Sequence, residues 1–87
     1  MEAKFKRGYT VKIRSDHEDY PDYEAIVYSS RHDAESIYDN GMIYKLLING
    51  QMSFGWREYS LSLVCSNEER GKKIINVWRR MAGLDLI

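Results

Sequence analysis

The Asn49-Gly50 pair constrains this chain more than any other two residues. Met42 to Ile48 before it and Gln51 to Trp56 after it are both rich in β-branched, aromatic and long apolar residues. Both central positions of a type I′ turn need positive φ, which Asn and Gly tolerate best, so the two runs are predicted to fold back on each other as a hairpin. With the strand period of two, Met52, Phe54 and Trp56 are expected on one face.

Three more strands are predicted around this hairpin. After Gly8, Tyr9, Val11 and Ile13 alternate with Thr10, Lys12 and Arg14, which describes a half-buried strand with a basic outer side. Ser15 to Asp22 breaks the pattern with acids and the single proline, Pro21, which lacks an amide hydrogen and restricts Tyr20 to extended or turn geometry. Tyr23 to Ser29 makes a second strand, with Ala25 and Val27 on one face and Ile26 and Tyr28 on the other. Ser30 to Asn40 is mostly polar and has room for one helical turn capped by Ser30. Arg57 to Ser60 reads as a short turn before a last strand, Leu61 to Cys65, with Leu61, Leu63 and Cys65 inward. Five short strands so closely spaced describe an all-β sandwich or barrel. Its core is expected to gather Val11, Val27, Leu46, Phe54, Trp56 and Leu63.

A helix should close the chain. Ser66 followed by Glu69 has the spacing of a capping box, and Gly83 is placed to end a helix running to about Ala82. At 100° per residue Ile74, Ile75, Val77, Trp78, Met81 and Ala82 share a broad apolar face, opposite Lys72, Lys73, Arg79 and Arg80. The expected architecture is therefore mainly β: a five-stranded antiparallel barrel over residues 5–65 and a C-terminal amphipathic α-helix over 66–83, in one domain of 87 residues.

In their order along the chain, "FKRGYTVKIRS", "YPDYEAIVYS", "YKLLINGQ" and "FGWREYSLSLV" resemble the SH3-like small barrels, in particular the KOW and Tudor type. The resemblance covers residues 5–65 and sets Gly8, Gly55, Trp56 and Leu61 at the places where such barrels carry a leading glycine, a Gly-aromatic step and the last strand. It implies a fold that hosts many functions. Ala25 stands where KOW motifs place a glycine. Arg57 follows Trp56 where peptide-binding SH3 domains carry a proline, so binding of proline-rich ligands is not implied.

Net charge is zero, but the charges are segregated. Residues 1–14 carry a net +4, residues 15–39 a net −7, and the remainder a net +3. With 44% hydrophobic and 30% charged residues the chain has the balance of a folded globule. The single cysteine, Cys65, excludes an internal disulfide and points to a reducing compartment. Met1 to Thr10 lacks the apolar run of a signal sequence, and no apolar stretch approaches the ~20 residues of a membrane span, so a cytoplasmic location is expected.

Catalytic and metal chemistry find little footing. His17 and His32 stand too far apart for a compact ligand motif, Cys65 cannot complete a thiolate site, and Asp16, Glu18, Asp19 and Asp22 lack the glycine and glutamate of a calcium loop. No serine or cysteine sits in a nucleophile motif and no glycine-rich phosphate loop occurs. The expectation is a non-enzyme with neither metal nor cofactor.

The tyrosines are the sharper feature. Tyr20 and Tyr23 flank Pro21 within the acidic loop, and a Tudor-like cage for a methylated cation would use such rings and carboxylates. Packing of a small barrel explains most of them more simply. The preferred reading is an interaction module that binds a protein partner through Asp16, Glu18, Asp19, Tyr20, Asp22 and Tyr23. A small tyrosine-rich chain of this kind suits an accessory or inhibitory protein of a bacterial virus. The alternative is an RNA- or DNA-binding module whose footprint is Lys4, Lys6, Arg7, Lys12, Arg14, Lys72, Lys73, Arg79 and Arg80. A balanced net charge weighs against it.

Overall fold

The computed structural model describes residues 3–33 and 41–87. The strands are β1 (Thr10–Ile13), β2 (Glu24–His32), β3 (Met42–Ile48), β4 (Gln51–Arg57) and β5 (Leu61–Cys65), with a 3₁₀ turn at Glu58–Ser60 and helix α1 over Glu68–Met81. They form one antiparallel sheet in the order β4-β3-β2-β1-β5, as the mainly β reading expected. The sheet is curled, and no ladder joins its edge strands β4 and β5, so hydrogen bonds do not close it into a barrel among the described residues.

At the β3–β4 turn Asn49 and Gly50 take φ of 51° and 77°, the positive values that the sequence demanded. Tyr44 pairs with Trp56 but Leu46 pairs with Ser53, so Phe54 and Gly55 form a bulge in β4. Gly55, at φ 81°, makes the extra residue affordable in backbone strain. The bulge shifts the alternation: Trp56 faces the core while Phe54 is 66% exposed, with the Lys45 ammonium 5.3 Å from its ring centre. The expected shared face of Met52, Phe54 and Trp56 is thereby corrected, and Phe54 leaves the core.

Both faces of the sheet are covered. On one face Phe5, Val11, Val27, Tyr44, Leu46 and Trp56 belong to the main core. On the other, Ile26 and Leu47 meet Ile75 of α1, flanked by Tyr28, Met52 and Trp78. Leu63 was expected inward and pairs opposite Val11, yet it is 51% exposed, on a strand at the edge of the sheet; Cys65 is only half-buried. Ser30 caps no helix: it lies within β2, opposite Tyr44, as do Arg31 and His32 after it, and residues 34–40 of the expected turn lie outside the described residues.

Helix α1 is capped by Asn67, not Ser66. The Asn67 side-chain oxygen accepts from the amides of Glu69 and Arg70 at 3.2 and 3.4 Å, which leaves Ser66 one residue too early. At the other end Gly83 takes φ 76°, its amide donates to Arg80 O and that of Leu84 to Arg79 O, the paired bonds of a Schellman motif. The helix buries Gly71 and Ile75, with Trp78 half-buried. Ile74, Val77, Met81 and Ala82, expected on the buried face, are exposed. Gly71, having no side chain, lets the helix lie against the Gly8 backbone just ahead of β1, so the stripe of Gly71, Ile75 and Trp78 faces inward and the neighbouring flank lies outside.

Candidate protein-interaction site

The acidic loop between β1 and β2 is held by backbone hydrogen bonds at both ends. Ile13 N donates to Tyr23 O at 2.8 Å and Asp22 N to Ile13 O at 3.2 Å, while Asp22 sits in the left-handed region at φ 62°, which Asp tolerates. Inside the loop His17 Nδ1 accepts from the amides of Asp19 and Tyr20 at 3.1 and 3.3 Å. That arrangement places the ring's donor at Nε2. His17, which the sequence left without a metal-ligand role, thus brackets the loop.

Four rings join the loop to the core. His17 lies 5.0 Å from Trp56, and Tyr20 lies 5.6 Å from Trp56 in an edge-to-face contact. Tyr20 also meets His17 at 5.8 Å and Tyr23 at 5.7 Å. Trp56 is buried and donates from its indole nitrogen to Ser53 Oγ at 2.8 Å. Each ring thus lies within 5.8 Å, centre to centre, of at least one other, and the four pack as one cluster. Trp56 and His17 were missed as site residues because nothing in their spacing along the chain announces the contact.

Of the six loop residues singled out, Tyr20 is half-buried against Trp56, whereas Asp16, Glu18, Asp19, Asp22 and Tyr23 are exposed. Asp16 pairs with Arg14 and Asp22 with Lys12, each at 3.5 Å. Among the described residues Glu18 and Asp19 make no ion pair, and both are exposed. Beside them a shallow pocket of about 260 Å³ is lined by Arg14, Asp16, His17, Tyr59 and Ser60. Arg14 also donates to Tyr59 O at 3.2 Å, which fixes the 3₁₀ turn against the loop.

Several of the nine residues of the basic footprint already have partners within the chain. Lys12 and Arg14 are taken up by the acidic loop, Arg7 donates to Tyr28 O at 2.9 Å, and Lys4 lies 5.5 Å from the Phe5 ring centre. Arg79, on α1, donates to the Tyr28 hydroxyl and to Asp85 O, which pins the C-terminal residues and the helix to β2. Lys6, Lys72, Lys73 and Arg80 make no ion pair among the described residues.

Next to the site, Tyr44 is fully buried and donates to Glu58 Oε2 at 2.6 Å while accepting from Phe5 N at 3.2 Å. Burial first, and the hydrogen bond to the Glu58 carboxylate second, push the phenol well above its ordinary value of 10.0. Tyr44 stays a neutral donor. Among the described residues no group of three His, Cys, Asp or Glu side chains is placed to hold a metal ion, and no helix is long and apolar enough to cross a membrane.

Comparison with family models, with curated proteins and with solved structures gave no match.

Proposed function

We propose that this chain is a non-catalytic module that binds a protein partner by presenting its acidic loop to a basic segment of that partner. The observation that carries the reading is the ring cluster of His17, Tyr20, Tyr23 and Trp56, which seats the loop on the core. A loop held in one shape loses little freedom on binding, so its unpaired carboxylates, Glu18 and Asp19, are ready to meet cations. Their charge serves the rate of encounter and the choice of partner more than the final affinity. The neutralisation of Lys12 and Arg14 within the same loop supports protein over nucleic acid, since it removes part of the basic footprint that phosphates would need. The SH3-like resemblance belongs to the same proposal, supported by the succession of loop, hairpin, 3₁₀ turn and last strand.

The test is affinity capture on the full chain with nuclease treatment, comparing wild type with Glu18→Lys/Asp19→Lys. A discrete protein band that survives nuclease and is lost in the variant is expected. Nucleic acid retained equally by both would overturn the proposal.

A further inference from the structure

One flank of α1 is left without a partner. Gly71, Ile75 and Trp78 centre the helix on the sheet, and at 100° per residue Arg70, Ile74, Val77 and Met81 fall side by side to one side of that stripe. Ile74 is 41%, Val77 60% and Met81 84% exposed. The β3–β4 hairpin rises opposite them. Between the two lies an apolar groove of about 200 Å³ lined by Leu47, Gly50, Ile74, Val77, Trp78 and Met81. It shares Leu47, Gly50 and Ile74 with a second hollow of about 240 Å³, which leads on to Thr10 and Arg70. Thr10 is 3% exposed and its hydroxyl oxygen is buried without a hydrogen-bond partner.

The groove therefore has an apolar length and a polar end, and three of the four charged residues beside it, Arg70, Lys73 and Arg80, are basic. Arg70 stands at the polar end, and Lys73 and Arg80 stand on the solvent side of Val77. None of the three makes an ion pair among the described residues, while Lys12, Arg14 and Arg57 are all paired with carboxylates elsewhere. Glu24 is the acid that shares the Arg70 end of the hollow.

We propose that this groove receives an acidic amphipathic helix from a partner protein. From Arg70 to Met81 the stripe runs roughly 16 Å, which matches three turns of a helix. Side chains at i, i+3 or i+4 and i+7 on such a helix reach Ile74, Val77 and Met81, and carboxylates along its edges reach Arg80, Lys73 and Arg70. The hairpin wall makes the surface concave, which suits a rod and not a flat bilayer. This groove lies on α1 and the hairpin and is independent of the acidic loop, which offers the opposite charge.

The experiment adds a synthetic helix-forming peptide of about 14 residues, with leucines at i, i+3, i+7 and i+11 and glutamates elsewhere, to the full chain labelled for methyl NMR. Its counterpart carries lysine in place of glutamate. The acidic peptide is expected to shift the methyls of Ile74, Val77 and Met81, and the lysine peptide to bind at least about tenfold more weakly. Val77→Asp, at an exposed position, should keep the fold and lose about tenfold or more in affinity, whereas Glu18→Gln/Asp19→Asn should retain the peptide. The proposal is overturned if both peptides bind alike, if neither binds, or if Val77→Asp binds as wild type. It is equally overturned if vesicles of an anionic phospholipid or a short single-stranded DNA moves these methyls more than the peptide does, or if they shift with protein concentration alone, which would make a second copy the occupant.

Discussion

Gly71 crosses Gly8 backbone to backbone: a Cβ placed on Gly71 would sit 1.8 Å from Gly8 O. From the other side, a Cβ on Gly8 would lie 2.6 Å from Glu68 O. The atoms in the way are backbone on both sides, so no side chain can swing aside. Helix propensity alone would favour alanine over glycine at position 71 by ~1 kcal/mol. The crossing reverses that sign. Gly71→Ala should destabilise by about 1 to 3 kcal/mol or more through overpacking, read from urea unfolding. A more stable variant would mean that α1 does not lie where described.

The bulge at Gly55 separates two aromatic residues that alternation would have put together. Phe54→Ala should change stability by less than about 1 kcal/mol, because Phe54 is mostly exposed, whereas Trp56→Ala should cost about 3 to 5 kcal/mol. Thermal unfolding of the two variants side by side checks this. Equal losses would restore Phe54 to the core.

Asn67→Ala should cost ~1 kcal/mol by releasing the amides of Glu69 and Arg70, and Ser66→Ala should cost almost nothing. Helix content and unfolding midpoints of the two variants decide it. A larger loss at Ser66 would return the cap to that residue.

Tyr44 gives stability a dependence on alkaline pH. Its folded-state proton is held above the ordinary 10.0, so above that pH the unfolded chain releases a proton that the native chain keeps. The Tyr44 contribution is therefore complete below pH 10.0 and falls as pH rises beyond it. Tyr44→Phe leaves Phe5 N without its acceptor and should cost about 1 to 3 kcal/mol at neutral pH. The difference from wild type should narrow as pH climbs above 10.0, as read from urea midpoints. A constant difference would place the phenol in contact with water.

Local chemistry explains what was legible in the sequence. The Asn49-Gly50 turn and the Gly83 stop depend on the φ of one or two residues, so their residue types announce them. Phe54 was misplaced because a single inserted residue inverts every later face of a strand, and the isolated Gly55 was the signal that a bulge was near. Leu63 was misplaced because alternation predicts direction, not whether another element covers it. For the site, the acids of the loop were plain from composition. The contact of Tyr20 and His17 with Trp56 was not, since it depends on β4 returning to the loop through three dimensions.

Glu18 and Asp19 are the side chains proposed to meet a basic partner surface. The direct measurement is the affinity of the full chain, wild type and Glu18→Gln/Asp19→Asn, for a lysine- and arginine-rich peptide and for a short single-stranded DNA, each at low and physiological salt. Neutralising the two acids should weaken peptide binding, chiefly through slower association, and that loss should fade as salt rises. Unchanged peptide binding, together with a clear gain in affinity for DNA, would make nucleic acid the partner instead.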